Sequence, residues 1–175
     1  PRQRQEVDCE TSQGENNMAA NEDTNIYTNF SNVEIGTASG GGKLKVGGVQ
    51  QNLGLITDIS ADTTLTAADS GKIYILDTPG EAIILPAVTN VGCNFKFIVG
   101  ANIATTNWTV TSAEGDNMEG SMMVASTVVD VDAADVLTFV NTADNIGDWA
   151  SVVSDGTYWY VDGRALTTGA ITATG

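Results

Sequence analysis

Histidine is absent from this 175-residue chain, and with it goes the side chain most used for acid–base catalysis near neutral pH and for metal ligation. Nucleophilic triads lose their usual activating base by the same absence. Basic residues are scarce: 7 Lys and Arg stand against 22 Asp and Glu, a net charge of −15. Up to Lys45 there are seven acidic and four basic residues, whereas from Asp58 onward there are fifteen acidic and three basic. So negative a body repels phosphate backbones and anionic bilayers, whose binding depends on Lys and Arg displacing counterions. Arg2 and Arg4 are too few to make a basic arm. Neither nucleic acid nor membrane is an expected partner.

Cysteine is also scarce. Cys9 lies in a charged stretch and Cys93 in the apolar run Cys93–Val99, so a bond between them has little support, and Cys93 reads as a small buried hydrophobe. A chain of this length buries enough core to fold without staples, as suits a reducing compartment. No apolar run has the length of a membrane-spanning helix, and the start Pro1-Arg2-Gln3-Arg4-Gln5-Glu6 lacks the apolar stretch of a signal peptide.

Short alternating runs separated by turn residues fill most of the chain. Residues 1–24 are rich in Gln, Asn, Glu and Asp and too polar to repay their ordering entropy, so an arm is expected there. Ile26, Tyr27, Phe30, Val33 and Ile35 could anchor an extended segment before the glycine-rich stretch Gly36–Gly42, which lacks the Lys-Ser/Thr end of a phosphate loop and reads as a linker. We assign residues 1–52 to this extended arm and linker, and 53–175 to a β-domain. Within the latter, Lys72–Leu76, Ala82–Leu85, Cys93–Val99, Asn107–Ser112, Thr127–Val131, Val136–Val140, Trp149–Val153 and Tyr158–Val161 read as strands. Leu65–Gly71 reads as one helical turn or a loop. Gly120 reads as a break after Met118, and Leu166–Gly175 as an edge strand or exposed end.

Ser154-Asp155-Gly156-Thr157 between two alternating runs is a strong hairpin signal. Strands about ten residues apart with polar turns predict an all-β, antiparallel sandwich or jelly-roll-like domain, because a parallel sheet would call for helical crossovers.

Carboxylates offer the main chemistry to weigh. Glu81, Glu114, Asp116 and Glu119 are candidates for a glycosidase pair, yet nearly all sit in turn patterns where acidic residues are ordinarily solvated. The runs Asp130–Asp135 and Asp144–Asp148 carry oxygen ligands that would suit calcium but lack the glycine and distant Glu of an EF-hand loop, so they read as solvated turns. No catalytic residue, cofactor or metal site is assigned. Trp108, Trp149 and Trp159 all fall in strand patterns. Core or subunit packing is the ordinary role of such residues, and stacking on sugar rings the alternative. Tyr158 and Tyr160 share the face opposite Trp159, so both faces of that strand should be covered, one of them by a neighbouring subunit.

Ala68-Asp69-Ser70-Gly71-Lys72-Ile73-Tyr74, Ile84-Leu85-Pro86-Ala87, Gly92–Phe97, Gly115–Gly120 and Ser154–Val161 resemble segments of small β-structured virion proteins of tailed bacteriophages infecting cyanobacteria and marine bacteria, especially capsid decoration (cement) and fibre-like proteins. The resemblance spans just over half of the chain and does not separate head from tail proteins. It implies a homotrimer on the capsid exterior, made in the host cytoplasm and fastened to the major capsid protein by its amino-terminal arm. Ile26, Tyr27, Phe30, Val33 and Ile35 would then be the shell-contacting anchors, and Trp149, Tyr158, Trp159 and Tyr160 the core or trimer packing. A tail or fibre component that binds a host-surface glycan is the alternative it leaves open.

Overall fold

The computed structural model describes residues 44–46, 49–51, 55–78, 80–102, 104–113 and 117–175. All of them belong to the second of the two compact units into which the chain divides, 1–33 and 34–175. The first unit lies outside the described residues, as do all five apolar anchors proposed for the arm (Ile35 falling in the second unit) and Gly36–Gly42.

Fourteen strands and one 3-10 turn make up the described fold. The first two, β1 (Leu44–Val46) and β2 (Val49–Gln51), form an antiparallel pair. The next six are β3 (Ile56–Asp58), β4 (Thr63–Thr64), β5 (Ile73–Leu76), β6 (Ala82–Ile84), β7 (Asn94–Val99) and β8 (Trp108–Thr111). Then come β9 (Met118–Val124), β10 (Thr127–Ala134), β11 (Val136–Phe139), β12 (Trp149–Ser154), β13 (Trp159–Ala165) and β14 (Ile171–Thr174). A seven-stranded sheet has the order β10-β9-β13-β12-β7-β5-β3, and a five-stranded sheet the order β14-β11-β8-β6-β4. The described residues therefore form an all-β sandwich.

Its sheets are mixed, which corrects the expectation of wholly antiparallel pairing. Among the described residues β3–β5, β5–β7, β4–β6, β6–β8 and β9–β13 pair parallel. From β3 to β8 successive strands alternate between the two sheets. Each parallel return thus passes through a strand of the opposite sheet, which does the work that a helix does in a βαβ unit. The one described helical element is the 3-10 turn Ala67–Asp69, capped by Asp69 accepting from the Thr66 amide (2.9 Å) and hydroxyl (2.7 Å). Burial works to raise the Asp69 carboxyl, but its bonds from Lys72 and Thr66 outweigh that and hold it below the ordinary carboxylate range.

Alternation aims one face of each sheet into a shared core. Phe95, Phe97 and Val99 point inward from β7, Trp159 and Val161 from β13, and Trp108 and Val110 from β8. Cys93, just before β7, is a buried free thiol, as read, and burial pushes its pKa up. Each fully buried Trp contributes about 4–6 kcal/mol of apolar burial. The two core indoles differ in one respect. Trp108 Nε1 donates to the Thr78 carbonyl (3.0 Å), whereas Trp159 Nε1 has no acceptor among the described residues. The outward positions of the smaller sheet are dominated by threonine, with Thr172, Thr138 and Thr109 in register across three strands.

Two readings at glycine and aspartate are corrected. Gly120 does not end a strand but sits inside β9, where a Cβ would lie 2.2 Å from the Val161 carbonyl oxygen of the parallel neighbour. Its φ of +142° is also costly for an L side chain. Asp130–Ala134 is not a turn either: it belongs to β10, with Asp130 and Asp132 facing solvent and a bulge between Val131 and Ala134 at Ala133, whose φ is +46°. Glu119 Oε1 accepts from the Ala133 amide (3.3 Å) and helps to hold that bulge.

Two pairs of substitutions test this packing by urea denaturation. Gly120→Ala should cost at least about 3 kcal/mol from strain and displaced backbone, while Gly169→Ala, whose added Cβ meets nothing within 4 Å but whose φ of +75° strains an L side chain, should cost only about 1–2 kcal/mol. Trp108→Phe should destabilise more than Trp159→Phe by about 1 kcal/mol, because only the former removes a hydrogen bond, the one that the indole donates to the half-buried Thr78 carbonyl.

Candidate binding surfaces on the seven-stranded sheet

Register fixes what the outer face of the large sheet presents. One row reads Asp58, Ile75, Ile98, Trp149, Arg164, Met123, Val128 across the seven strands from β3 to β10. The adjacent row reads Ile56, Ile73, Lys96, Ser151, Asp162, Ser121, Asp130. Beyond it Val153, Tyr160 and Glu119 are neighbours on β12, β13 and β9. A polar centre at Ser151, Asp162 and Ser121 therefore separates two apolar zones.

The first zone lies at the β12–β13 turn. Ser154 pairs with Trp159, and Asp155–Tyr158 form the loop, closed by the Asp155 amide on the Tyr158 carbonyl (3.3 Å). This is the hairpin read from the sequence, with Gly156 at φ +100°. Asp155 Oδ1 accepts from the amides of Thr157 (2.8 Å) and Tyr158 (2.9 Å), and its Oδ2 from the Tyr160 hydroxyl (3.0 Å). Those two amides, with the Tyr160 hydroxyl helping, hold the Asp155 carboxyl below its ordinary range, and the same carboxylate raises the Tyr160 phenol. Tyr158 and Tyr160 are 40% and 44% exposed, tilted with ring centroids 6.3 Å apart, beside exposed Val153 and Val91. Ser154 is buried and donates its hydroxyl to the Val88 carbonyl, tying the strand end to the preceding loop.

The second zone is an open cleft of about 770 Å³ at the other end of β12 and β13. Met123, Ile146, Trp149, Asp162, Arg164 and Leu166 are among its lining residues. Ile146 and Leu166 are 70% and 74% exposed. The loop that carries Ile146 is pinned by a buried carboxylate: Asp148 Oδ2 accepts from the Asn145 amide (2.8 Å) and Oδ1 from the Leu166 amide (2.9 Å). Further bonds run from the Ile146 amide to Asn102 Oδ1 (3.2 Å), from the Gly147 amide to the Val99 carbonyl (2.9 Å), and from Asn145 Nδ2 to Thr167 Oγ1 (2.8 Å). Asp144 and Asp148 are buried, which corrects the reading of Asp144–Asp148 as a solvated turn. Lys96 Nζ lies 4.4 Å from the Trp149 ring centroid, and Arg164 is the cross-strand partner of Trp149.

Of the aromatic residues singled out in the sequence, Trp159 is wholly in the core and tilted against Phe95, Trp149 is half-buried on the outer face, and Tyr158 and Tyr160 are exposed. Of the carboxylates weighed for catalysis, Glu81 borders β6 in the small sheet while Glu119 faces outward from β9 in the large one, so the structure does not bring these two together. Glu114 and Asp116 lie outside the described residues. No group of three or more Cys, Asp or Glu among the described residues is placed to hold a metal ion, and no described helix is long and apolar enough to cross a membrane. Sequence reasoning missed Ile146, Arg164 and Leu166. The available signal was parity: 158, 160, 162, 164 and 166 share one face of β13 and its extension, and Arg164 is one of only three basic residues after position 57.

No family model matches the sequence, and no curated protein matches it significantly.

The Asp155 shift carries a pH prediction. A folded-state pKa below the unfolded one stabilises the turn fully above about pH 4, the ordinary carboxylate value, and that stabilisation is lost as the pH falls through the folded value. The Thr157 and Tyr158 amide resonances should therefore move together on acidification with a midpoint below that value, and Asp155→Asn should abolish the movement.

Proposed function

We propose that this chain is a virion structural protein, a decoration protein that sits on the outer surface of a phage head as a homotrimer and stabilises the shell through contact with the major capsid protein. The observation that carries the reading is the tyrosine zone: half-exposed Tyr158 and Tyr160 with exposed Val153 on the β12–β13 hairpin of an otherwise acidic sandwich, and exposed Val91 of the β6–β7 loop against Gly156 of its turn. Tyr is enriched at subunit interfaces because it brings large apolar area and a polar tip at low entropic cost. A subunit held through this zone needs no chemistry of its own, in keeping with a chain that lacks histidine. An arm that orders on contact adds area at an entropic cost, and three arms on one trimer offset weak individual contacts.

Deleting residues 1–35 should abolish occupancy on undecorated heads, read by particle gel shift or image reconstruction, and unchanged occupancy would refute the anchoring role of the arm. Replacing both Tyr158 and Tyr160 by Ala should weaken self-association at least tenfold by sedimentation velocity, with the fold intact by circular dichroism. A second reading, a tail or fibre component that holds a host-surface glycan, is favoured by one specific feature: an outward Trp149 grouped with Asp162 and Arg164 in a cleft.

A further inference from the structure

From Asp58 to the end the chain carries fifteen acidic and three basic residues. Lys72 is committed to Asp69, its Nζ 2.6 Å from Oδ1, and this is the one ion pair among the described residues. The two remaining cations, Lys96 and Arg164, both adjoin Trp149: Lys96 over its ring at 4.4 Å and Arg164 beside it on β13. Among the described side chains of this acidic protein, the positive charge that no carboxylate holds is therefore gathered around one aromatic side chain, at the rim of an open cleft. Resting on the glycan-binding reading above, we propose that this cleft is a site for a carboxylate-bearing sugar of the hexuronic acid class.

The donors and acceptors fit that chemistry. Arg164 presents the planar, paired donors that match a carboxylate, and Lys96, in the adjacent row two strands away, adds a second charge over the Trp149 ring. Asp162, two residues before Arg164 on the same outward face, lines the cleft as an acceptor for hydroxyl groups. A free anion without hydroxyls would gain nothing from Asp162 and would be repelled by it. The other carboxylate of the cleft, Asp148, is buried and spent on the amides of Asn145 and Leu166, so it serves to hold the walls. Ile146, Leu166 and Met123, exposed on three separate stretches of the chain, offer apolar surface to the C–H face of a pyranose. Because a network of hydrogen bonds pins residues 145–148, the walls are set before a ligand arrives and little ordering entropy is lost on binding. The volume of about 770 Å³ falls within the range of ordinary ligand sites.

The test is a titration of the full chain with oligogalacturonate and, separately, with the neutral galactan oligomer of the same length, followed by calorimetry and backbone amide shifts. The expected result is binding of the uronate alone, weakened by salt, with shifts concentrated at residues 145–149 and 162–166. Arg164→Gln, an exposed change that leaves the core untouched, should weaken it roughly ten- to a hundredfold. Equal binding of the neutral oligomer, or binding undiminished in Arg164→Gln, would overturn the uronate assignment while leaving a glycan role standing. Binding of neither oligomer at millimolar concentration would overturn both, and particle occupancy of the same protein would report independently on the decoration role.

Discussion

Two sheets share one dry layer, and that sharing dictates how the chain must run. Each strand from β5 to β8 buries one face and leaves the other partly or fully exposed, so a strand that crosses to the opposite sheet finds the same core waiting for it. Crossing back and forth builds two parallel stacks at once without a helix. The arrangement leaves Phe97, Trp108, Leu76 and Ile83 facing a common interior although they belong to different sheets. Once that layer is filled, the later hairpins β9–β10 and β12–β13 extend the larger sheet.

Where two-residue alternation is strong, the sequence was a sufficient guide. The inward set Cys93, Phe95, Phe97 and Val99, the opposition of Trp159 to Tyr158 and Tyr160, and the hairpin at Asp155-Gly156 are local facts of parity and turn chemistry, and each is found in the structure. Pairing direction is not local. The absence of helices in the sequence pattern predicts antiparallel neighbours, but a crossover needs only length and a buried face, and a strand supplies both. Gly120 misled for a related reason: its lack of a side chain answers the close approach of Val161 from a strand forty residues away in sequence, so the local pattern shows only a gap.

The carboxylates divide in the same way. An acidic residue in a turn is solvated by default, and nothing near Asp148 in the sequence announces that the Leu166 amide will come to meet it. The cleft is likewise assembled from three separated stretches, around Met123, around Ile146 and around Arg164. Parity places Arg164 and Leu166 outward, but only the register of β13 with β12 and β9 brings Trp149 and Met123 alongside them.

Charge then sorts the surface. With an excess of acidic side chains the molecule repels its own kind and most anions at long range, so contact must occur where the field is locally cancelled or where no charge stands. The outer face of the large sheet provides both: tyrosines and valines at the hairpin end, and at the other end the two cations that no carboxylate holds among the described residues. The smaller sheet takes a third course, showing threonines in register, whose hydroxyls keep a β-branched face wet without adding charge. A partner that meets this protein is therefore selected first by repulsion and only then by fit, which makes a few uncharged or positive positions count for more than their area.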